Sequence, residues 1–267
     1  MLVDGKQIAK EIVEALKAKR ASMTRVPSLG IVVGVDDPVT SAYINLKLKT
    51  AADLGVAVQK EVLPAGADTA QAIAAVERLS KTSDGVVVQL PLPATIDAVK
   101  VLSAVPPERD VDALNPAVAE EARKVIAPVA EAVREILTRH AIEVQGKKAL
   151  VVGQGQLVGA PAAALLTRLG AAVAVVTLQS GTLAQLADAD IVVLGAGSPG
   201  LIQPEMLKPG VVLIDAGTSE QGGKVVGDAD PRCANVASLF TPVPGGVGPL
   251  TIATLFRNLF TLIEGEK

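Results

Sequence analysis

Three features of the sequence predict an α/β protein built in two lobes. Short, continuous apolar runs such as "LGIVVGV" (29–35) and "DGVVVQLPLP" (84–93) alternate with helical segments. Such runs suit strands covered on both faces, and the alternation predicts parallel βαβ units with right-handed crossovers. A polar, proline-rich passage, "PPERDVDALNPAVAE" (106–120), interrupts the alternation, and a domain boundary is expected after it. A new strand, glycine-rich turn, helix and strand then begin at "KKALVVGQGQLVGAPAAALLTRLGAAVAVV" (147–176).

The first lobe reads in order as follows. Ile8, Ile12, Val13 and Leu16 recur at helical spacing and predict a helix over about 5–20. After the strand at 29–35, "SAYINLKLKTAADLG" predicts a helix that stops at Gly55. "VAVQKEVLP" (56–64) is a second strand and "TAQAIAAVERLSK" (69–81) a helix. "DGVVVQLPLP" is a third strand broken by Pro91, and a short helix follows near 96–104. "PVAEAVREILTRH" (128–140) is a helix expected to bridge the lobes. In the second lobe, "ADIVVLGAG" (189–197) and "GVVLIDAG" (210–217) are further buried strands. "PLTIATLFRNLFTLIEG" closes the chain as a helix, with Leu255, Leu259 and Leu262 along one side. There is no internal repeat.

Composition bounds the function. Of 267 residues, 49% are apolar, but there is one Tyr, no Trp and only three Phe, so the core is built from small aliphatics. The net charge of −3 and the lack of a dense basic run argue against a nucleic-acid partner. Cys233 is the single cysteine, so no intrachain disulfide forms, in keeping with a reducing compartment. Charges interrupt the N-terminal helix throughout, unlike a signal peptide. No window reaches the roughly 20 apolar residues of a membrane span. A soluble, cytoplasmic protein is expected.

Gly153, Gly155 and Gly159 form G-x-G-x-x-x-G directly after a strand and before a helix. Glycines there let the backbone turn tightly and approach a pyrophosphate at the helix N-terminus, so a Rossmann-like dinucleotide site is one reading. Val158 holds the usual third glycine position, and a plain tight turn is the other reading. The next strand ends "VVTLQSGT" (175–182). It lacks both the acid that commonly grips ribose hydroxyls and a nearby arginine, and offers Gln179, Ser180 and Thr182, with Gln154 in the turn.

In the first lobe, Tyr43 and Lys47 stand four apart and share a helix face. Gln89 falls near the C-terminal end of a strand, where α/β sheets bind ligands, and Asp110 and Asp112 follow in a loop. These groups could converge on one cleft. Each also has an ordinary explanation: a surface pair, a structural glutamine, a solvated loop. Late in the chain, residues 241–249 hold three prolines and three glycines, which suits a rigid binding wall or a rigid connection.

In order and spacing, "TSAYINLKLKTAADLGV", "DGVVVQLPLP", "PPERDVDALNP", "GKKALVVGQGQLVGAP", "LKPGVVLIDAG", "VVGDAD" and "TPVPGGVGPLTIATL" resemble the bifunctional methylenetetrahydrofolate dehydrogenase/methenyltetrahydrofolate cyclohydrolase family. The resemblance covers nearly the whole chain. It implies a catalytic folate-binding domain at 1–127 plus 245–267, with the last helix packing back on it, and an NAD(P)-binding domain at 128–244. It implies hydride transfer from methylenetetrahydrofolate to NADP or, less often, NAD, then hydrolysis of the methenyl product to 10-formyltetrahydrofolate. Tyr43 would stack on the folate, Lys47 would handle protons, Gln89 would hydrogen-bond Lys47, and Asp112 would anchor the pterin's amino edge. Leu90, Pro91, Pro244, Gly245 and Gly246 would line the substrate. Gly153, Gln154, Gly155, Leu157, Val158, Gly159, Ser180, Thr182, Gly197 and Thr218 would bind the dinucleotide. No metal is implied. A cytoplasmic homodimer supplying purine biosynthesis is the family pattern.

The chain departs from that pattern in its phosphate turn and in "QSGT", where groups that would meet a 2′-phosphate are missing, so NAD and NADP both stay open. "PVAE" also stands where the family has a cysteine-containing run, and the stretch after Asp112 is short. The rivals are a cyclohydrolase alone, a non-catalytic folate- or nucleotide-binding protein, and another two-lobed dehydrogenase acting on a cyclic hydroxy acid.

Overall fold

The computed structural model describes residues 1–35 and 38–265. The chain divides into two compact units, and both are discontinuous in sequence. Lys10–Pro128 joins Ile252–Lys267 in one, and Met1–Ala9 joins Val129–Thr251 in the other.

The first unit carries most of α1 (Gly5–Ala21), then β1 (Ser28–Val33), α2 (Pro38–Leu54), β2 (Ala57–Val62), α3 (Thr69–Thr82), β3 (Gly85–Gln89) and α4 (Ala98–Ser103). Its three strands are parallel, in the order β2-β1-β3, with Leu29 level with Val58 on one side and Gly85 on the other. Gly55, at φ +62°, stops α2 in the left-handed region that glycine tolerates. Asp68 and Gln71 form a reciprocal capping box at the start of α3. β1 and β3 are buried along almost their whole length, as their unbroken apolar runs require, while β2 is a half-exposed edge. Behind them Val76, Leu79, Val86, Val88 and Leu102 form the core.

The last helix, α7 (Val247–Gly265), completes this unit from Ile252 onward. Leu255, Leu259 and Leu262 are buried as their spacing predicts, and Phe256 and Phe260 beside them are sealed completely. Its Asn258 donates to the carbonyls of Val111 and Ile126, at 2.9 and 2.7 Å. A side chain at Gly85 would drive into Val111 and Leu259, so this glycine is set by packing. The helix opens at Val247, two residues before the start expected from Pro249. Pro249 sits in its first turn, where a missing N–H costs nothing.

The second unit contains α5 (Pro128–Arg139) from Val129 on, β4 (Lys148–Val152), α6 (Gly159–Arg168), β5 (Ala172–Val176), β6 (Ile191–Leu194), β7 (Val212–Asp215), a hairpin of β8 (Ser219–Gln221) and β9 (Lys224–Val226), and β10 (Leu239–Phe240). Five strands run parallel in the order β10-β7-β6-β4-β5. Val152, Leu186, Val192, Leu194, Leu213 and Phe240 are among its core residues. The N-terminus pairs with β10: Phe240 donates to Met1 O and Val3 donates to Phe240 O, each at 2.9 Å.

Two pieces of this unit lie outside the sequence reading. The hairpin turns on Gly222 and Gly223, both at positive φ, and a Gly-Gly pair between short strands is a recognisable turn signal. β10 is two residues long and leaves no periodicity to read. Among the described residues, no helix is long and apolar enough to cross a membrane.

Candidate active site

In both sheets the chain reverses its direction of winding beside the first strand. β1 lies between β2 and β3, and β4 lies between β5 and β6. Ligands of such sheets bind beyond the carboxyl ends of the strands at these reversal points.

At the first reversal, α2 follows β1 and carries Tyr43 and Lys47, while Gln89 is the last residue of β3. Lys47 is only 8% exposed, and its ammonium donates to Gln89 Oε1 at 2.6 Å. The Gln89 amide is turned by its own NH₂ group, which donates to Leu90 O at 2.8 Å and leaves the carbonyl oxygen for the lysine. Burial pushes the Lys47 pKa down, because an ammonium loses its hydration there, and the charge of Asp112 opposes that shift. Asp112 is pushed up to about 6. Burial is the main cause, Asp110 adds to it, and Lys47 works against it. Lysine, glutamine and aspartate are thus electrostatically one cluster. Tyr43 is half-buried one turn before Lys47 on the same helix, and Asn45 and Lys49 are exposed. Leu90 is half-buried and Pro91 exposed just beyond Gln89.

The two acids of "RDVD" have different jobs. Asp110 is buried, and its carboxylate accepts from the Asn115 amide at 2.8 Å. Asn115 in turn donates to Val105 O at 2.8 Å, which holds the short loop after Asp112 in shape. Val111 between them is sealed in the core and tied by Asn258, so Asp112 is carried on a fixed stretch of backbone.

At the second reversal, the glycine turn joins β4 to α6. Gly153 has φ +108°, and a Cβ on it would lie 2.3 Å from Gly195 O. A Cβ on Gly159 would lie 2.1 Å from Gly153 O. Both glycines are demanded by close backbone packing. Gly155 is not: a Cβ there would meet nothing within 4 Å. That open backbone lies ahead of the α6 N-terminus and at the reversal point, the position at which sheets of this kind commonly take a pyrophosphate. Val158 takes a packing part instead, since Gly195 leaves room for its side chain.

Sequence reasoning missed a buried carboxylate pair that shapes the neighbouring loop. Asp228, fully buried, accepts from the amides of Ala196, Gly197 and Ser198 at 2.7, 3.1 and 2.7 Å. Asp215, at the end of β7, accepts from the amides of Gly217, Asp228 and Ala229, and the Asp215 amide itself donates to Thr241 Oγ1. Burial is the main reason its pKa rises to about 6. The pair shows in sequence only as two glycine-flanked acids, "DAG" and "GDAD"; the clearance that Gly217 gives Asp228 and Gly227 gives Asp215 explains those glycines. Gly197 is thereby held at the loop after β6, and exposed Thr218 follows β7, both at the carboxyl edge.

Pro244, Gly245 and Gly246 belong to the unit with the five-stranded sheet. They pack against the start of α1, where a side chain on Gly5 would collide with Gly246 O.

A buried amine–carboxamide pair beside a carboxylate on one doubly wound sheet, and an open glycine turn ahead of a helix on another, are the arrangement of a two-domain dinucleotide-dependent enzyme. Comparison with known proteins makes the class specific. Residues 3–112 match the tetrahydrofolate dehydrogenase/cyclohydrolase catalytic domain, and residues 127–267 match the NAD(P)-binding domain of the same family. The chain belongs to the tetrahydrofolate dehydrogenase/cyclohydrolase family. It is 38% identical to the bifunctional protein FolD of Halothermothrix orenii, over 96% of this chain and 95% of that one. Its fold is similar to the FolD methylenetetrahydrofolate dehydrogenase/cyclohydrolase of Campylobacter jejuni, with TM-score 0.93 and 29% identity over 100% and 99% of the two chains. It is likewise similar to the Trypanosoma brucei enzyme complexed with NADP and an inhibitor, with TM-score 0.91 and 34% identity over 100% and 98%.

Proposed function

We infer that this chain oxidises 5,10-methylenetetrahydrofolate with a nicotinamide dinucleotide and hydrolyses the methenyl product to 10-formyltetrahydrofolate. The observation that carries the reading is the buried Lys47 ammonium, with depressed proton affinity, bonded to Gln89 and facing the charge of Asp112. Family membership supports both half-reactions.

The hydride leaves the methylene carbon, and the two folate nitrogens flanking it stabilise the cation that remains. A bound nicotinamide supplies the hydride acceptor. Water then adds to the methenyl carbon, and a carbon–nitrogen bond opens to leave the formyl group. Lys47 suits this second step. Its neutral fraction takes a proton from the attacking water, the ammonium so formed returns a proton to the departing nitrogen, and the remaining hydroxyl proton leaves to solvent as the formyl C=O forms. Gln89 keeps the amine pointed in one direction in either protonation state. In this reading Tyr43 stacks on the flat folate, and the Asp112 carboxylate receives the pterin's amino edge. Leu90 and Pro91 contribute apolar surface to the substrate. The glycine turn at 153–159, with Ser180, Thr182, Gly197 and Thr218, holds the dinucleotide. The setting proposed is a cytoplasmic homodimer feeding purine biosynthesis.

The test is an assay of purified protein with methylenetetrahydrofolate and either dinucleotide, following reduced nicotinamide and methenyl hydrolysis separately. Turnover in both is expected; absence of methenyl hydrolysis would overturn the role given to Lys47.

A further inference from the structure

We propose that the dinucleotide site of this chain is built for NAD and against NADP, with the turn after β5 accepting a free ribose 2′-hydroxyl and giving no purchase to a 2′-phosphate. The proposal rests on the dinucleotide reading above and concerns which of the two forms that site takes.

In a doubly wound sheet the adenosine ribose meets the turn after the second strand, here residues 177–182 after β5. A 2′-phosphate brings about −1.5 to −2 charges, and a site that takes it supplies arginine or lysine together with free amides. Neither cation is present. The stretch "TLQSGT" (177–182) has no charged residue, and neither has the glycine turn "GQGQLVG" (153–159). Other cations of this unit are on other elements: Lys6 on α1, Lys224 on β9, and Arg134 and Arg139 on α5, paired with Glu131 and Glu135. Lys147 and Lys148 are at the amino end of β4, the opposite edge of the sheet, and Arg168 ends α6. Lys208 is paired with Asp190 at 2.5 Å, and Arg232 with Asp230 at 2.9 Å.

Backbone donors replace them only in part, because three of the turn's six amides are spent inside it. The Thr177 amide donates to Ser180 O at 2.9 Å. The amides of Gln179 and Ser180 both donate to Thr177 Oγ1, at 3.3 and 3.0 Å, and the two hydroxyls pair at 2.8 Å. Thr182 Oγ1 is occupied with the Ala184 amide. What the turn presents is neutral: the exposed amide of Gln179 and the exposed hydroxyl of Ser180, both able to serve a ribose hydroxyl. Leu157 and Leu178, 46% and 56% exposed on these two turns, add apolar surface of the kind an uncharged adenosine covers. Selection is therefore by exclusion, since the phosphate would shed water for no compensating charge.

Gly181 cannot easily restore a cation. It has φ +86°, and a Cβ would fall 2.8 Å from Val176 Cγ1. Gln154 can, being exposed beside the open Gly155. The experiment is calorimetric titration of the full chain with NAD⁺ and with NADP⁺, repeated on Gln154→Arg. NAD⁺ is expected to bind about tenfold or more tighter than NADP⁺, equivalent to about 1.4 kcal/mol. Gln154→Arg is expected to narrow the gap by strengthening NADP⁺ binding. Equal or tighter binding of NADP⁺ to the unaltered chain overturns the proposal. If neither dinucleotide binds while methenyltetrahydrofolate is still hydrolysed, the proposal and the dehydrogenase half of the function both fall. If NAD⁺ is preferred but no hydrolysis occurs, the folate reading fails and this one stands.

Discussion

The two doubly wound sheets place their sites at equivalent points and equip them in opposite ways. The three-stranded unit puts side chains at its reversal point: a buried amine and carboxamide with a half-buried carboxylate, mutually tuned. The five-stranded unit puts bare backbone there, at Gly155, and keeps its own carboxylates behind the edge, bonded to amides of the neighbouring loops. On the function proposed, one site moves protons and needs groups of adjusted affinity, while the other holds a charged, extended ligand and needs room and direction.

The difference can be broken most severely at Lys47. Lys47→Met removes the proton carrier while keeping much of the volume, and methenyl hydrolysis should fall by about 10²- to 10⁴-fold. Dinucleotide affinity, measured by titration, should stay the same. A variant hydrolysing at the parent rate would remove the amine from the mechanism.

On the other sheet, Gly159→Ala and Gly155→Ala should separate fold from function. The first must push a methyl into Gly153 O and should cost about 3 kcal/mol in chemical denaturation. The second adds a methyl to open space, so its melting should barely move while dinucleotide binding weakens. Equal melting of the two would contradict the packing assigned to the turn.

Asp228→Asn tests the concealed support. It exchanges a carboxylate that faces three amides for a group that can turn only one oxygen to them, and a loss of about 2 kcal/mol is expected in thermal or urea unfolding.

The smallest effect concerns Asp112. Its pKa is raised from 3.8 to about 6, so ionisation is penalised in the folded state. The carboxylate is present above about pH 6 and lost below it, so KM for the folate should rise as pH falls through 6. Asp112→Asn should flatten that dependence. Because the native chain bears the penalty at neutral pH, the same variant should gain about 1–2 kcal/mol of stability at pH 7. A KM independent of pH between 5 and 7 in the parent would remove Asp112 from substrate binding.

The strands were legible because a doubly covered strand has to be apolar throughout, and β1, β3, β4, β6 and β7 all fall on such runs. Gly55 and the 69–81 helix were legible from caps and periodicity. Lys47 with Gln89 stood out only when family resemblance joined residues 42 positions apart, since local spacing gives a Tyr/Lys pair no more than a surface role. The Asp215–Asp228 pair escaped for a related reason. Its meaning lies in amides contributed by several loops, and no local pattern encodes them. The hairpin at 219–226 escaped although its Gly-Gly turn announced it.

Both units are closed by chain from the far end of the sequence. Phe256 and Phe260 fill the core of the unit that opens at Lys10, and Met1 and Val3 pair with Phe240. A ribosome making this protein releases its first domain unfinished, lacking the helix that seals it. Native structure of that unit must therefore wait for the synthesis of α7. A chain stalled or clipped ahead of α7 exposes the apolar floor beneath that helix and becomes a client for chaperones and proteases, even with Lys47, Gln89 and Asp112 already synthesised.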